Sequence, residues 1–165
     1  MKKFGLLLLA FSMLFLFTAC PAPQEDKTIN MPFANMKIKE TEIAMDAEAA
    51  PILSALGKEL SYEESPSCAF EGMDKLYIYQ GFRIKTYSLS GKDYIYSIEL
   101  MDDSITTPEG VTIGTAIEIA AEKYGTPAEE NDSAMRFVYK NTILQILFRD
   151  GLVTNIQYLK NETTN

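Results

Sequence analysis

The chain has 165 residues and a formal net charge of −8, from 15 Lys and Arg against 23 Asp and Glu, with no histidine. So acidic a balance argues against nucleic acid and anionic lipid headgroups as partners, because both require basic patches. The lack of histidine removes the commonest metal ligand and the commonest general base together.

The N-terminus opens with Lys2 and Lys3, followed by an uncharged, almost wholly apolar run over residues 4–17 and then Thr18-Ala19-Cys20. A cationic start, an apolar stretch and small residues at its end are the parts of a secretory signal. The run is short of the ~20 residues that a membrane-spanning helix needs. The Ala19-Cys20 ending resembles the signal of bacterial lipoproteins, although Phe17 stands where that family more often has an aliphatic residue. The resemblance implies cleavage before Cys20, diacylation of its thiol, and residence at the cell membrane on the extracytoplasmic side. Two acyl chains on one cysteine meet the two-signal requirement for stable anchoring, each buried methylene adding ~0.8 kcal/mol. Residues 1–19 are therefore expected to be a signal peptide and 20–35 a lipidated tether. Pro21-Ala22-Pro23-Gln24-Glu25-Asp26-Lys27-Thr28 is polar and proline-rich, and cannot bury enough apolar surface to fold. Cleavage leaves 146 residues and, with Lys2 and Lys3 gone, a net charge of −10. That length suffices for one domain or two small fused units.

A strand is expected at 36–43, where Ile38 and Ile43 are separated by charged residues. Ala49, Ile52, Leu53 and Leu56 then recur at i, i+3, i+4, i+7 and Gly57 follows, the pattern of a short amphipathic helix closed by glycine. Asp46 is a candidate cap, with Pro51 near the first turn. Strands are expected at 76–79, 82–89 and 94–101, with tight turns at Gln80-Gly81 and Ser90-Gly91. A polar linker with one Pro and one Gly covers 102–110. The pattern then recurs: Ile117, Ala120, Ala121 and Tyr124 repeat the helical spacing and Gly125 follows. Thr115 and Glu118 fit a capping box at its start. Strands are expected at 135–140, 142–149 and 152–159, joined by Lys140-Asn141 and by Asp150-Gly151, a strong two-residue turn signal. Residues 161–165 are expected to be a disordered tail.

The expected fold class is α+β: two tandem units, 36–104 and 105–160, each a helix plus a three-stranded antiparallel meander, with the helices packed on one face of the sheet. Such an order resembles the beta-lactamase-inhibitory-protein and small outer-membrane-assembly-lipoprotein architectures, a likeness over roughly residues 40–160 that carries no functional residue across. The stretches Ser65-Pro66-Ser67-Cys68-Ala69-Phe70 and Thr107-Pro108-Glu109-Gly110-Val111-Thr112-Ile113-Gly114 look like those of uncharacterised lipoproteins of Gram-positive anaerobes, which implies a habitat rather than an activity.

Cys68 is the one thiol left once Cys20 is lipidated, so no intrachain disulfide can form, and burial as a small hydrophobe is expected. The acidic pairs Glu63-Glu64, Asp102-Asp103 and Glu129-Glu130 with Asp132 lack the spacing of a calcium loop and read as solvated charge. No metal and no cofactor is expected. Five of nine tyrosines crowd one twenty-residue hairpin region of the first unit, at Tyr77, Tyr79, Tyr87, Tyr94 and Tyr96. If Leu76 and Ile78 form the buried side, Tyr77 and Tyr79 stand outward with Tyr94 and Tyr96, an aromatic sheet face suited to recognition. Packing of these rings into the core is the opposing reading. The expected function is thus a non-enzymatic binding module, anchored to the membrane by lipid and engaging a protein or envelope component. A small carboxylate-dependent envelope hydrolase is the alternative. A transporter-feeding capture protein is disfavoured, because 146 residues are short for two closing lobes.

Radiolabelled palmitate should enter the wild-type chain and not Cys20→Ala. Equal labelling of the two would end the anchor assignment.

Overall fold

The computed structural model describes Phe33 and residues 35–164, so the expected signal peptide, Cys20 and nearly all of the expected tether lie outside the described residues. About half of the described chain is strand and 14% is helical. No helix among the described residues is long and apolar enough to cross a membrane.

The chain begins with a two-stranded ribbon, β1 (Asn35–Ile38) and β2 (Thr41–Ala44), turning at Lys39, whose φ is 54°. Helix α1 (Ala49–Leu56) follows, then β3 (Ser61–Pro66), β4 (Met73–Ile78), β5 (Phe82–Leu89) and β6 (Lys92–Leu100). Helix α2 (Ile117–Tyr124) follows, then β7 (Glu129–Asn131), β8 (Ala134–Tyr139), β9 (Thr142–Arg149) and β10 (Leu152–Lys160), with a 3-10 turn at Glu162–Thr164. The last eight strands form one antiparallel sheet in the order β3-β4-β5-β6-β10-β9-β8-β7.

This overturns the expectation of two helix-plus-three-stranded units. The molecule is mostly β, with one eight-stranded sheet and a separate two-stranded ribbon. The unexpected strands are the outermost ones, β3 and β7, and every residue in both is exposed. A strand paired on one side only and wet on both faces carries no apolar alternation, so no period of two marks it. The single strand expected at 36–43 is instead the β1–β2 ribbon. Folded chain also starts ahead of Met36: Phe33 is buried and packs edge-on against Tyr124 and Phe137, at centroid distances of 6.0 and 6.2 Å. At the far end, residues expected to be a disordered tail form the 3-10 turn, where the Asn161 side chain accepts from the Thr163 amide at 3.1 Å.

Both helices stop as their glycines require. Gly57 has φ 86° and Gly125 φ 78°, and their amides donate to Leu53 O and Ala121 O. Neither helix starts as expected. The residue before α2 is Ala116, with no side-chain cap, and Thr115 Oγ1 instead accepts from the Thr112 amide at 3.0 Å. The reason is a competing pairing: Val153 N donates to Thr115 O and Ile117 N donates to Gly151 O, both at 2.9 Å, fastening the chain before α2 to the start of β10. The chain before α1 is fastened to β6 in the same way, through Asp46 N to Ile95 O and Ile95 N to Ala47 O.

Register sorts the sheet residues onto two faces. Tyr77, Ile84, Ile98, Tyr158, Leu144 and Phe137 lie opposite one another across β4, β5, β6, β10, β9 and β8. All but Tyr77 are buried, and they form a core with Met36, Ile43, Met45, Ala49, Ile52, Ile117, Ala120 and Tyr124 from the ribbon and helices. The β6–β10 joint has only four residue pairs, one of them Ile98 opposite Tyr158, both 0% exposed.

Ile98→Ala should therefore cost about 2–5 kcal/mol of stability. Ile119→Ala, on the exposed side of α2, should stay within about 0.5 kcal/mol. Urea denaturation of the two variants decides; similar losses would mean that the seam is not where the fold is held.

Candidate functional site

The face of the sheet turned away from the helices carries a different population. One row across it reads Leu76, Lys85, Ser97, Leu159, Ile143, Val138; the next reads Ile78, Arg83, Glu99, Gln157, Gln145, Arg136, Glu129. Antiparallel sheets commonly leave one face solvated, and this one is laced with cross-strand ion pairs. Lys85 meets Asp74 at 2.9 Å, Arg83 meets Glu99 at 2.7 Å, and Arg136 meets Glu129 at 3.0 Å; Asn155 donates to the other Glu99 oxygen at 2.8 Å. Burial works against the Asp74 charge, but the Lys85 ammonium outweighs it and holds the carboxyl below its usual range. Two depressions of about 380 Å³ mark the face, one walled by Glu63, Asp74, Lys85 and Arg83, the other by Tyr96, Ile143, Leu159 and Arg136.

Against the second depression stands an aromatic cluster. Register skips Tyr96 between Lys85 and Thr86, so a bulge in β6 leaves Tyr94, Tyr96 and Ser97 on the open side while Ile95 stays in the core. Tyr87 lies opposite Tyr94, with ring centroids 5.8 Å apart. Phe70 joins them from the β3–β4 loop, 4.3 Å from Tyr87 and 5.9 Å from Tyr96. The loop is shaped for this: Ser67 Oγ accepts from the Phe70 amide at 3.0 Å, and Gly72, at φ 88°, lies so close to Ser88 that a Cβ there would come within 3.1 Å.

Lys160 closes the cluster. Its ammonium lies 4.4 Å from the Tyr87 ring centroid and 5.8 Å from that of Phe70, donates to the Tyr87 hydroxyl at 2.8 Å, and pairs with Asp46 at 3.1 Å. The Tyr87 hydroxyl in turn donates to Asp46. Burial opposes the Lys160 charge, but the Tyr87 hydroxyl and the Asp46 carboxylate outweigh it and hold the ammonium above its ordinary value. Asp46, expected as a helix cap, is spent here instead. Lys85 lies 5.3 Å above the Tyr96 ring, and the Tyr96 hydroxyl donates to Glu162 at 3.2 Å.

The four tyrosines expected to share a face do not. Tyr94 and Tyr96 stand on the open side. Tyr77 opposes Ile84 on the core side, where its ring lies 5.1 Å from that of Tyr62, and Tyr79 is 7% exposed and stacks on Phe82 at 4.8 Å. Leu76 and Ile78, expected inside, are the open-face pair. Four consecutive apolar or aromatic residues offer no alternation, so only pairing with β5 decides their parity. Cys68 is exposed rather than buried, in the β3–β4 loop two residues before Phe70. Nothing local in the sequence marks Phe70 or Lys160 as a site residue. The acidic pairs do not converge: among the described residues, no group of three or more acidic or thiol side chains is placed to hold a metal ion.

Lys160→Met should lower stability by about 1–3 kcal/mol at neutral pH, by urea denaturation. A raised lysine pKa adds stability below the unfolded value and loses it as pH climbs through the folded one, so the deficit should shrink above the ordinary value of 10.5. A deficit independent of pH would mean that the lysine stem, not its charge, does the holding.

Compared with protein-family models, curated proteins and solved structures, the chain matches none, so no residue's role is carried over from another protein.

Proposed function

We propose that this chain is an extracytoplasmic lipoprotein, held to the cell membrane by lipid on Cys20, that binds a protein or envelope component with the uncovered face of its sheet. The observation that carries the reading is the composition of that face. It combines an aromatic cluster of Phe70, Tyr94 and Tyr96 around the buried Tyr87 with flanking cations and carboxylates already held in fixed pairs. Tyrosine and phenylalanine supply large contact area at little entropic cost, and pre-ordered charges lower the cost of docking. A rigid sheet positions both more precisely than loops would.

The hydrolase alternative is less well supported. A carboxylate-only mechanism needs one acid kept protonated near neutrality. Asp74 and Asp93 are both driven the other way: burial opposes their charge, and Lys85 beside the one and Lys75 beside the other overcome it. The face itself is a wide surface with shallow depressions rather than a deep desolvated cleft.

A photoreactive phenylalanine replacing Tyr96 or Gln145 in intact envelopes should crosslink to one and the same species, and Lys85→Glu should abolish both adducts. The same label at Ile119, on the helix side, should give none. Adducts from Ile119 with silence from the sheet would overturn the proposal.

A further inference from the structure

On the helix side, away from the proposed binding face, lies a cleft of about 690 Å³. Its walls come from four separate places: the β1–β2 turn, the end of α1, the β4–β5 turn and the linker near Ile105. The Tyr79 and Phe82 rings, 7° from parallel, give it a flat aromatic wall, and Leu60, 74% exposed, and Ile105 add aliphatic surface.

Three lysines, Lys37, Lys39 and Lys58, line the same cleft. In a chain with net charge −8 that is a local reversal of sign. Lys37 meets only Glu40, at 3.2 Å, and the two side chains are 53% and 95% exposed. Lys39 and Lys58 have no ion-pair partner among the described residues. The Tyr79 hydroxyl is buried and likewise unpartnered among them, and an unsatisfied buried hydroxyl is costly. Burial, followed by the neighbouring Glu59 charge, keeps that phenol protonated, so it remains a donor. The turn that closes one end is held tightly: at Gly81, φ 82°, a Cβ would meet Ser104 and come within 2.9 Å of Asp102 and 3.0 Å of Ile105.

We infer that this cleft binds an amphiphile with an anionic head and an apolar body. The head sits among Lys37, Lys39 and Lys58, displacing Glu40 from Lys37. The body lies along Leu60, Ile105 and the Tyr79–Phe82 stack. The volume suits a small molecule, since ligand sites run from about 300 to 1,000 Å³. The charge pattern excludes a cationic amphiphile of the same tail, because it would set like charges together.

Lysine-reactivity footprinting by mass spectrometry, on the full chain in zwitterionic nanodiscs, tests this residue by residue. Dodecanoate and dodecyl phosphate, added separately, should protect Lys37, Lys39 and Lys58 while leaving Lys92 and Lys123 unchanged, and dodecyltrimethylammonium should protect none. Lys39→Gln with Lys58→Gln should raise the dodecanoate concentration that protects Lys37 about three- to tenfold. Protection by only one of the two anions identifies the head as carboxylate or phosphate. Equal protection by the cation, no protection by either anion, equal protection of Lys92 and Lys123, or full protection of the three lysines with nothing added would each overturn the inference.

Discussion

The whole structure hangs on the short joint between β6 and β10. Only four residue pairs cross it, yet it converts two sets of four strands into one sheet. Ile98 and Tyr158 meet there with no exposed surface, as do Leu100 and Ile156, and two core rows of the sheet cross the joint through these pairs. Without the joint, each half would present a bare strand edge and an uncovered apolar face. The rest of those two edges is not left open: the chain ahead of each helix folds down on β6 or β10 and takes up the backbone groups beyond the four shared pairs. Exposed strand edges invite pairing with other chains, so this coverage protects the monomer as well as placing the helices.

Placement of the helices follows from that coverage. Because residues 46–47 and 115 are hydrogen-bonded through their backbone to the sheet, α1 and α2 begin without side-chain caps and lie on one side of it. Tertiary pairing overrides the local signal that Thr115 and Glu118 offered. The linker between the halves is tied down on the same side. Thr107 shares a hydrogen bond of 2.7 Å with Tyr124, which also reaches Glu109 at 3.0 Å. One side of the sheet is thereby roofed by ribbon, helices and linker, and the other stays open.

The two sides then acquire different chemistry. On the open side, polar pairs run strand to strand and one bulge turns Tyr96 outward, so that rings from β5, β6 and the β3–β4 loop gather around Lys160. On the roofed side, the roof is incomplete where α1 ends and the linker begins, and the gap exposes aromatic wall and lysines together. The first is a surface for a large partner, the second a recess for a small one, and no residue lines both.

How much of this could be read from the chain depends on whether the relevant force acts over a few residues or across the fold. Strands with apolar alternation or an apolar run, such as 82–89 and 142–149, and the helices with their closing glycines were legible, because burial period and the left-handed backbone of a tight turn are local properties. Ser90-Gly91 and Asp150-Gly151 adopt that backbone at both positions. The polar strands at 61–66 and 129–131 were not legible, since backbone pairing with β4 and β8 makes them strands whatever their side chains. Nor was the sheet face of Tyr77 and Tyr79, which pairing with β5 decides, or the exposure of Cys68. Phe70, Tyr87 and Lys160 converge from three parts of the chain, as do Lys37, Lys58 and Tyr79. Sequence alone determined where the helices and the apolar strands would form and how acidic the molecule would be; strand pairing made strands of the polar edges and decided which face each side chain joined, because a shift of one residue reverses every side chain in a strand.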